Sequence, residues 1–175
     1  MERLEKINND FATLFREGQR LLQEGCGDVM NRHREEAFQR FEALGGIPYK
    51  TEDYLYADTL PVFDRDYRVV LKYIKQEVEV GEIFKCHVPN LDTNLINGWF
   101  VQENVVPEIP EGVVICSMAE ASVKYKELFE RHYNQYTKPA DADGLVALNT
   151  AFAQDGVFVY VPDRVVMERP LQIVN

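Results

Sequence analysis

The stretch that decides the fold is Gly144 to Asn175, GLVALNTAFAQDGVFVYVPDRVVMERPLQIVN. Its first part carries apolar side chains at helical spacing: Leu145, Leu148, Ala151 and Phe152. This pattern predicts a helix with one apolar face. Gln154-Asp155-Gly156 is expected to end the helix, because glycine is the usual residue just past a helix C-terminus.

Two short strand-like runs follow this helix, Val157–Val161 and Leu171–Val174, with Val165–Val166 as a candidate third. Pro162 and Pro170 separate them, because proline cannot donate a hydrogen bond to a sheet ladder. Short strands at this spacing suit either a hairpin or the first coil of a stacked β-solenoid.

Two more apolar stripes lie towards the N-terminus. The first is interrupted by Gly18 and consists of Leu4, Ile7, Phe11, Leu14, Phe15, Leu21 and Leu22. Asp28 is expected to cap the second, which consists of Met30, Ala37, Phe38, Phe41 and Leu44. Such stripes normally form a core, so the pattern predicts that the two helices pack together as a helical hairpin.

The middle of the chain predicts a mixture of helix and strand. Thr51, followed by two acidic residues, marks a helix start, whereas Asp66–Val80 fits a short helix or a strand. Glu82–Val101 favours strands, and its Asn97-Gly98 pair is a strong hairpin signal because both residues tolerate positive φ.

A strand followed by a helix is predicted next. Val113–Cys116 is typical of a buried strand, and Ser117 is expected to cap the following helix. Glu120, three residues on, completes a capping box, and the helix is expected to continue towards Tyr136. Lys138–Gly144 then reads as a linker of turn-forming residues.

Composition excludes several classes of protein. The chain has 175 residues, of which 46% are hydrophobic, and a formal net charge of −10. Such acidity argues against nucleic-acid binding and against an anionic membrane surface. No apolar stretch approaches the ~20 residues needed to span a bilayer, and the charged N-terminus is unlike a signal peptide. The simplest compartment is the cytoplasm.

No set of residues predicts catalysis, cofactor binding or a metal site. The three cysteines, Cys26, Cys86 and Cys116, are widely spaced and form no CxxC pair. Cys86 and His87 are neighbours, which places their side chains on opposite faces of a strand. The remaining candidates that we considered each have a simpler structural explanation: His33, His132, Asp141, Asp143, Ser117 and Gly45-Gly46. We therefore assign no catalytic, cofactor-binding or metal-binding residues.

Four stretches resemble, in the right order, the N-terminal part of the SufB/SufD family of iron–sulfur cluster assembly proteins. They are Arg34–Thr59, Ile96–Val101, Ile109–Ala121 and Ala147–Asn175. The first is similar to the family's helix, glycine turn and "E-x-W-x-Y-T" run, with Tyr54 and Ala57 standing where Trp and Thr are usual. The closing LQIVN resembles the SufD branch more than the SufB branch.

The resemblance implies an α+β fold. Residues 1–143 would form an N-terminal domain with a helical hairpin and a small mixed α/β part. Residues 144–175 would supply the helix and opening strands of a truncated β-helix. The family's members are longer, and their residues tied to cluster assembly lie beyond Asn175, so no functional residue is carried over.

The function implied is a structural, non-catalytic one, with SufB and the ATPase SufC as partners in the full-length context. No cofactor is expected in this chain, although the whole complex would handle an iron–sulfur cluster. Two alternatives stay open: a free-standing acidic interaction adaptor, and a small thiol- or metal-dependent enzyme using Cys86, His87 or Cys116. Because apolar strands concentrate at the end, the isolated chain is expected to self-associate as a homodimer.

Overall fold

The computed structural model describes residues 2–65, 70–74, 91–101, 109–137 and 139–175. These residues form a mixed α+β fold. Its helices are α1 (Glu2–Gln23), α2 (Asp28–Ala43), α3 (Leu60–Phe63), α4 (Met118–Lys124), α5 (Lys126–His132) and α6 (Gly144–Phe152), with single 3-10 turns at Glu52–Tyr54 and Pro139–Asp141. Its strands are β1 (Leu91–Ile96), β2 (Trp99–Val101), β3 (Val114–Ser117), β4 (Val157–Tyr160) and β5 (Leu171–Val174).

Helices α1 and α2 pack as the antiparallel hairpin that their apolar stripes predict. Gln19 near the end of α1 reaches Glu35 in α2, whereas Asn8 near its start reaches the carbonyl of Gly45 beyond α2. Between these points the rings of Phe15 and Phe38 stack with centroids 3.8 Å apart. The paired order of the contacts is that of two helices running in opposite directions.

Helix α6 completes the main core, and the predicted helix at the start of the quoted stretch is confirmed. Ala147, Leu148 and Ala151 are buried in the same cluster as Phe15 and Phe38. The boundary predicted between residues 143 and 144 stays a prediction, but α6 buries its apolar face against α1 and α2 rather than against the strands that follow it.

Two glycines let a helix approach a neighbouring segment closely. Gly18, which interrupts the stripe of α1, is buried, and a Cβ there would overlap the tip of the Leu71 side chain. Gly144 at the start of α6 lies against the backbone carbonyl of Gly46. Gly45-Gly46 therefore ends α2 and receives the N-terminus of α6, which accounts for both glycines without a phosphate-binding role.

Two details of the helical prediction are wrong. Gly27, not Asp28, is the N-cap of α2, because its carbonyl accepts the first helical hydrogen bond, from the amide of Asn31. Gly27 also lies against the backbone carbonyl of Ser122, which leaves no room for a side chain. The helix after Ser117 does not run unbroken: it breaks at Tyr125, with φ −116° and ψ 42°. The break lets the Tyr125 ring stack on Phe158, with centroids 6.4 Å apart.

The strands form two small sheets. β1 and β2 are an antiparallel hairpin, and the predicted turn is confirmed, since Asn97 and Gly98 both have positive φ, 52° and 82°. β5 joins the other side of β1 in parallel. β3 pairs antiparallel with β4, which places the predicted strand before Ser117 in a sheet.

Some strand predictions are corrected. β4 and β5 pair with different partners, so the predicted hairpin between them is wrong, and Val165–Val166 is not a strand. A β-helix stays a prediction. Residues 70–74 are neither helix nor strand, while the rest of Asp66–Val80 and the strands predicted at 82–90 lie outside the described residues.

Candidate functional site

The carboxylate of Asp155 joins three parts of the fold just after α6. Its Oδ1 accepts hydrogen bonds from the Ser117 hydroxyl at 2.6 Å and from the amide of Ala119 at 3.2 Å. Its Oδ2 accepts from the amide of Phe100 in β2 at 2.9 Å. We call these four residues the Asp155 junction. It fixes β2, the start of α4 and the approach to β4 relative to one another.

Ser117 caps α4 as predicted, because its hydroxyl accepts from the amide of Glu120 at 3.2 Å. The second half of a capping box is different: the carboxylate of Glu120 pairs with Lys124, and Asp155 takes the role of the acid at the helix start. A carboxylate suits this place because the N-terminus of a helix carries partial positive charge.

A cleft of about 660 Å³ lies beside this junction. It is lined by Val70, Asn97, Gly98, Trp99, Met118, Asn149, Phe152, Ala153, Gln154 and Asp155. The side-chain nitrogen of Gln154 donates to the carbonyl of Val70 at 3.1 Å, while its oxygen is buried and has no partner in the part of the chain that the structure describes. The cleft thus has an aromatic wall, from Trp99 and Phe152, but its carboxylate is already occupied by three donors.

A buried arginine and a thiol connect α2 to the end of α6. Arg34 is only 1% exposed. Its guanidinium donates to the carbonyl of Ala153 at 2.6 Å, to the Cys26 sulfur at 3.7 Å, and to the side-chain oxygen of Asn31. The Cys26 thiol in turn donates to the carbonyl of Gln154 at 3.5 Å. Every one of these acceptors is neutral.

Cys116 has apolar surroundings. Cys116 is buried in the cluster around Phe129. Burial, reinforced by the charge of Glu120 and opposed by that of Lys124, raises the pKa of the Cys116 thiol to about 11. Thiolate is the nucleophilic form, and burial with a raised pKa disfavours it at Cys116 near neutral pH. Cys86 and its neighbour His87 lie outside the described residues.

The histidines that we considered do not form a site. The ring of His33 lies 5.4 Å from that of Tyr133, and burial lowers the pKa of His33 despite the opposing charge of Glu36. His132 is exposed at the end of α5. His132 therefore lies on a solvated helix face, as the charged residues around it predict, whereas the same prediction is wrong for His33, which is half-buried against Tyr133.

The two aspartates of the predicted linker have different roles. Asp141 is exposed, whereas Asp143 is the N-cap of α6 and accepts from the amides of Leu145 and Val146 at 2.8 and 2.9 Å. Its other oxygen accepts from the Tyr54 hydroxyl at 2.7 Å. Among the described residues, no group of three or more His, Cys, Asp or Glu side chains is placed to hold a metal ion.

Sequence reasoning missed the two residues that organise this region. The sequence marks Asp155 only as part of a helix stop, because its three donors come from segments far away in the chain. The sequence does indicate that Arg34 is unusual, because it interrupts the apolar stripe of α2 four positions after Met30 and three before Ala37. A charged residue on a buried helix face predicts a specific partner.

None of the helices among the described residues is long and apolar enough to cross a membrane. The family model for the SufBD protein N-terminal region matches residues 5–173. The chain is also similar to the iron–sulfur cluster assembly SufBD family protein ABCI9 of Arabidopsis thaliana, with 37% identity over 68 residues. That match covers 39% of this chain and 14% of the Arabidopsis protein. No solved structure matches.

Proposed function

The chain belongs to the SufB/SufD family, and we propose that it forms the N-terminal part of a SufD-type subunit in a cytoplasmic iron–sulfur cluster assembly complex. The observation that carries this proposal is the family match over residues 5–173, which leaves only the extreme ends uncovered. The choice of SufD over SufB rests on the closing residues Leu171–Asn175.

The role we propose for this part is structural and non-catalytic. Two side chains that could otherwise take part in catalysis are poorly placed for it. Asp155 already accepts three hydrogen bonds, and Cys116 is a buried thiol with a raised pKa. Three hydrophobic clusters, one among the helices and two that include residues of β3, are suited to holding neighbouring segments in place.

We further propose that β4 and β5 begin a β-helix. Two observations support this. β4 and β5 belong to different sheets, as successive strands of one solenoid coil do. β5 also pairs in parallel with β1, and parallel pairing is the arrangement by which successive coils stack.

The proposed partners are SufB and SufC, with the full-length gene product as the subunit. The test is to co-express that product, tagged, with SufB and SufC of the same organism, and to measure the mass of the purified species by light scattering. A stable complex of all three is expected. Cells depleted of the gene product should lose activity of iron–sulfur enzymes without losing the enzymes themselves.

Two results would contradict the proposal. One is failure of the gene product to associate with either partner while iron–sulfur enzymes stay active after depletion, which would favour the acidic adaptor. The other is loss of function in a double variant with Cys86→Ala and His87→Ala that still folds and assembles, which would favour the thiol- or metal-dependent enzyme.

A further inference from the structure

We propose that Cys26 is a peroxide-sensitive thiol whose oxidised, anionic form is held by Arg34, and that its oxidation loosens the attachment of the α6 end to α2. This proposal does not depend on the function proposed above. It rests on the charge of Arg34, on the exposure of Cys26 and on the two hydrogen bonds that they share with residues 153 and 154.

Arg34 carries a buried positive charge that is not paired with a carboxylate among the described residues. Arg34 is almost completely buried, yet its hydrogen-bond acceptors are an amide oxygen, a carbonyl and a thiol. No carboxylate pairs with it in the described ranges, and its Nε–H is buried without an acceptor. A buried charge is costly unless it is paired. The guanidinium therefore favours any anion that can form within its reach, and Cys26 is the ionisable group that it touches.

Cys26 is more exposed than Cys116. Cys26 lies in the turn between α1 and α2 and is half-buried, whereas Cys116 is 8% exposed. Reactive cysteines occupy partly exposed, electropositive surroundings. Cys26 has both properties: the residue is partly exposed, and a guanidinium nitrogen lies 3.7 Å from its sulfur.

The reaction balances with hydrogen peroxide as the oxidant. The Cys26 thiolate attacks one peroxide oxygen, an S–O bond forms, the O–O bond breaks, and hydroxide leaves and is protonated to water. The sulfur loses two electrons and becomes a sulfenic acid. Ionisation of that acid to the sulfenate supplies the negative charge next to Arg34, and the added oxygen can also accept from the free Nε–H.

Oxidation of Cys26 would change the hydrogen bonds that hold residues 153 and 154. The reduced thiol donates to the Gln154 carbonyl, and the same Arg34 nitrogen that touches sulfur also holds the Ala153 carbonyl. Oxidation removes the S–H donor and gives Arg34 a stronger, charged acceptor. Both changes weaken the hold on residues 153 and 154, which lead directly into Asp155.

The test follows each cysteine separately. The protein is treated with dilute hydrogen peroxide in the presence of dimedone, which traps sulfenic acids, and labelling is measured by peptide mass spectrometry. Labelling at Cys26 is expected to be at least tenfold faster than at Cys116 in the unmodified protein. Arg34→Met should slow Cys26 labelling at least fivefold, and Arg34→Lys, which keeps the charge, should slow it less.

Hydrogen exchange tests whether oxidation of Cys26 loosens the end of α6. Hydrogen exchange at residues 153–157 should accelerate severalfold after peroxide treatment, and Cys26→Ala should abolish that response. Equal labelling of Cys26 and Cys116 in the wild-type protein would overturn the proposal even if no Arg34 variant folds. So would equal Cys26 labelling in folded Arg34→Met and Arg34→Lys, or an exchange response that persists in Cys26→Ala.

Discussion

Among single residues, Asp155 has the largest predicted effect on stability. Its carboxylate accepts hydrogen bonds from two amides and a hydroxyl, and a hydrogen bond to a charged group contributes about 1.5–3 kcal/mol net of the bonds lost to water. Asp155→Ala is expected to lower the free energy of unfolding by about 3 kcal/mol. Asp155→Asn keeps one oxygen and should cost less, as chemical denaturation will measure.

Asp163→Ala provides the matched control for Asp155→Ala. Asp163 is exposed in the turn after β4, and surface substitutions of this kind normally change stability by no more than about 0.5 kcal/mol. Equal losses in the two variants would mean that the Asp155 junction has no special role.

The Tyr54–Asp143 hydrogen bond predicts how stability depends on alkaline pH. The bond to Asp143, helped by burial, raises the pKa of Tyr54 to about 12. The unfolded chain has the ordinary tyrosine value of ~10, so it releases this proton first. The stability contributed by the neutral hydroxyl is complete below pH ~10 and is lost as the pH rises towards 12.

Tyr54→Phe isolates that effect. The variant should be less stable at neutral pH by about 1 kcal/mol, the usual net worth of one hydrogen bond. The gap between the wild type and the variant should then close between pH 10 and 12 in parallel urea titrations. A constant gap across this range would show that Tyr54 and Asp143 are not coupled.

Among secondary-structure elements, the contact between α6 and the turn after α2 leaves no room for added volume. A methyl group at Gly144 would overlap the carbonyl of Gly46 and touch the Pro48 ring. Backbone cannot move aside as a side-chain tip can, and overpacking costs about 1–3 kcal/mol. Gly144→Ala is therefore expected to lower the melting temperature clearly.

Gly18→Ala, within α1, is the variant with which Gly144→Ala is compared. Its new methyl group meets only the tip of Leu71, and alanine gains about 1 kcal/mol of helix propensity over glycine. The two terms oppose each other, so the net change should stay within about 1 kcal/mol. A larger loss in Gly18→Ala than in Gly144→Ala would reverse the order that these contacts predict.

Local signals predicted these elements well where the residues that decide them are close together in sequence. The stripes of α1, α2 and α6 and the Asn97-Gly98 turn needed no distant partner. The break at Tyr125 was not predictable, because it depends on Phe158, which lies beyond both α5 and α6 in the chain. The partners of β4 and β5 were missed for the same reason, since strand pairing over long separations leaves no local pattern.

Across the whole molecule, burial is unequal. α2 and α6 supply many fully buried side chains, whereas β4 and β5 are half-buried or exposed along their length. Regions with few buried apolar contacts open more easily. Amides of α2 and α6 are expected to exchange hydrogen most slowly, and those of β5 much faster, in exchange followed by mass spectrometry. Equal protection of β5 and α6 would show that the two sheets and the helical core unfold as one unit.

The candidate site was less predictable than the fold. Cys26 and Arg34 are eight positions apart, but their shared partners, Ala153 and Gln154, are brought in by the packing of α6. Only the position of Arg34 on an apolar stripe pointed towards it. The SufB/SufD resemblance named the family without indicating this region, because the family's functional positions lie elsewhere.

The parallel pairing of β1 with β5 has a consequence for synthesis on the ribosome. Leu91 pairs with Leu171, eighty positions later in the chain. At roughly 5–20 residues per second, translation separates the two strands by about 4–16 s. During that interval the hairpin of β1 and β2 has emerged with the edge meant for β5 still open, and open edges recruit foreign strands. Chaperone occupancy and aggregation in translation should therefore peak before residue 171 appears, and slower codons between β2 and β5 should lower the yield of soluble protein.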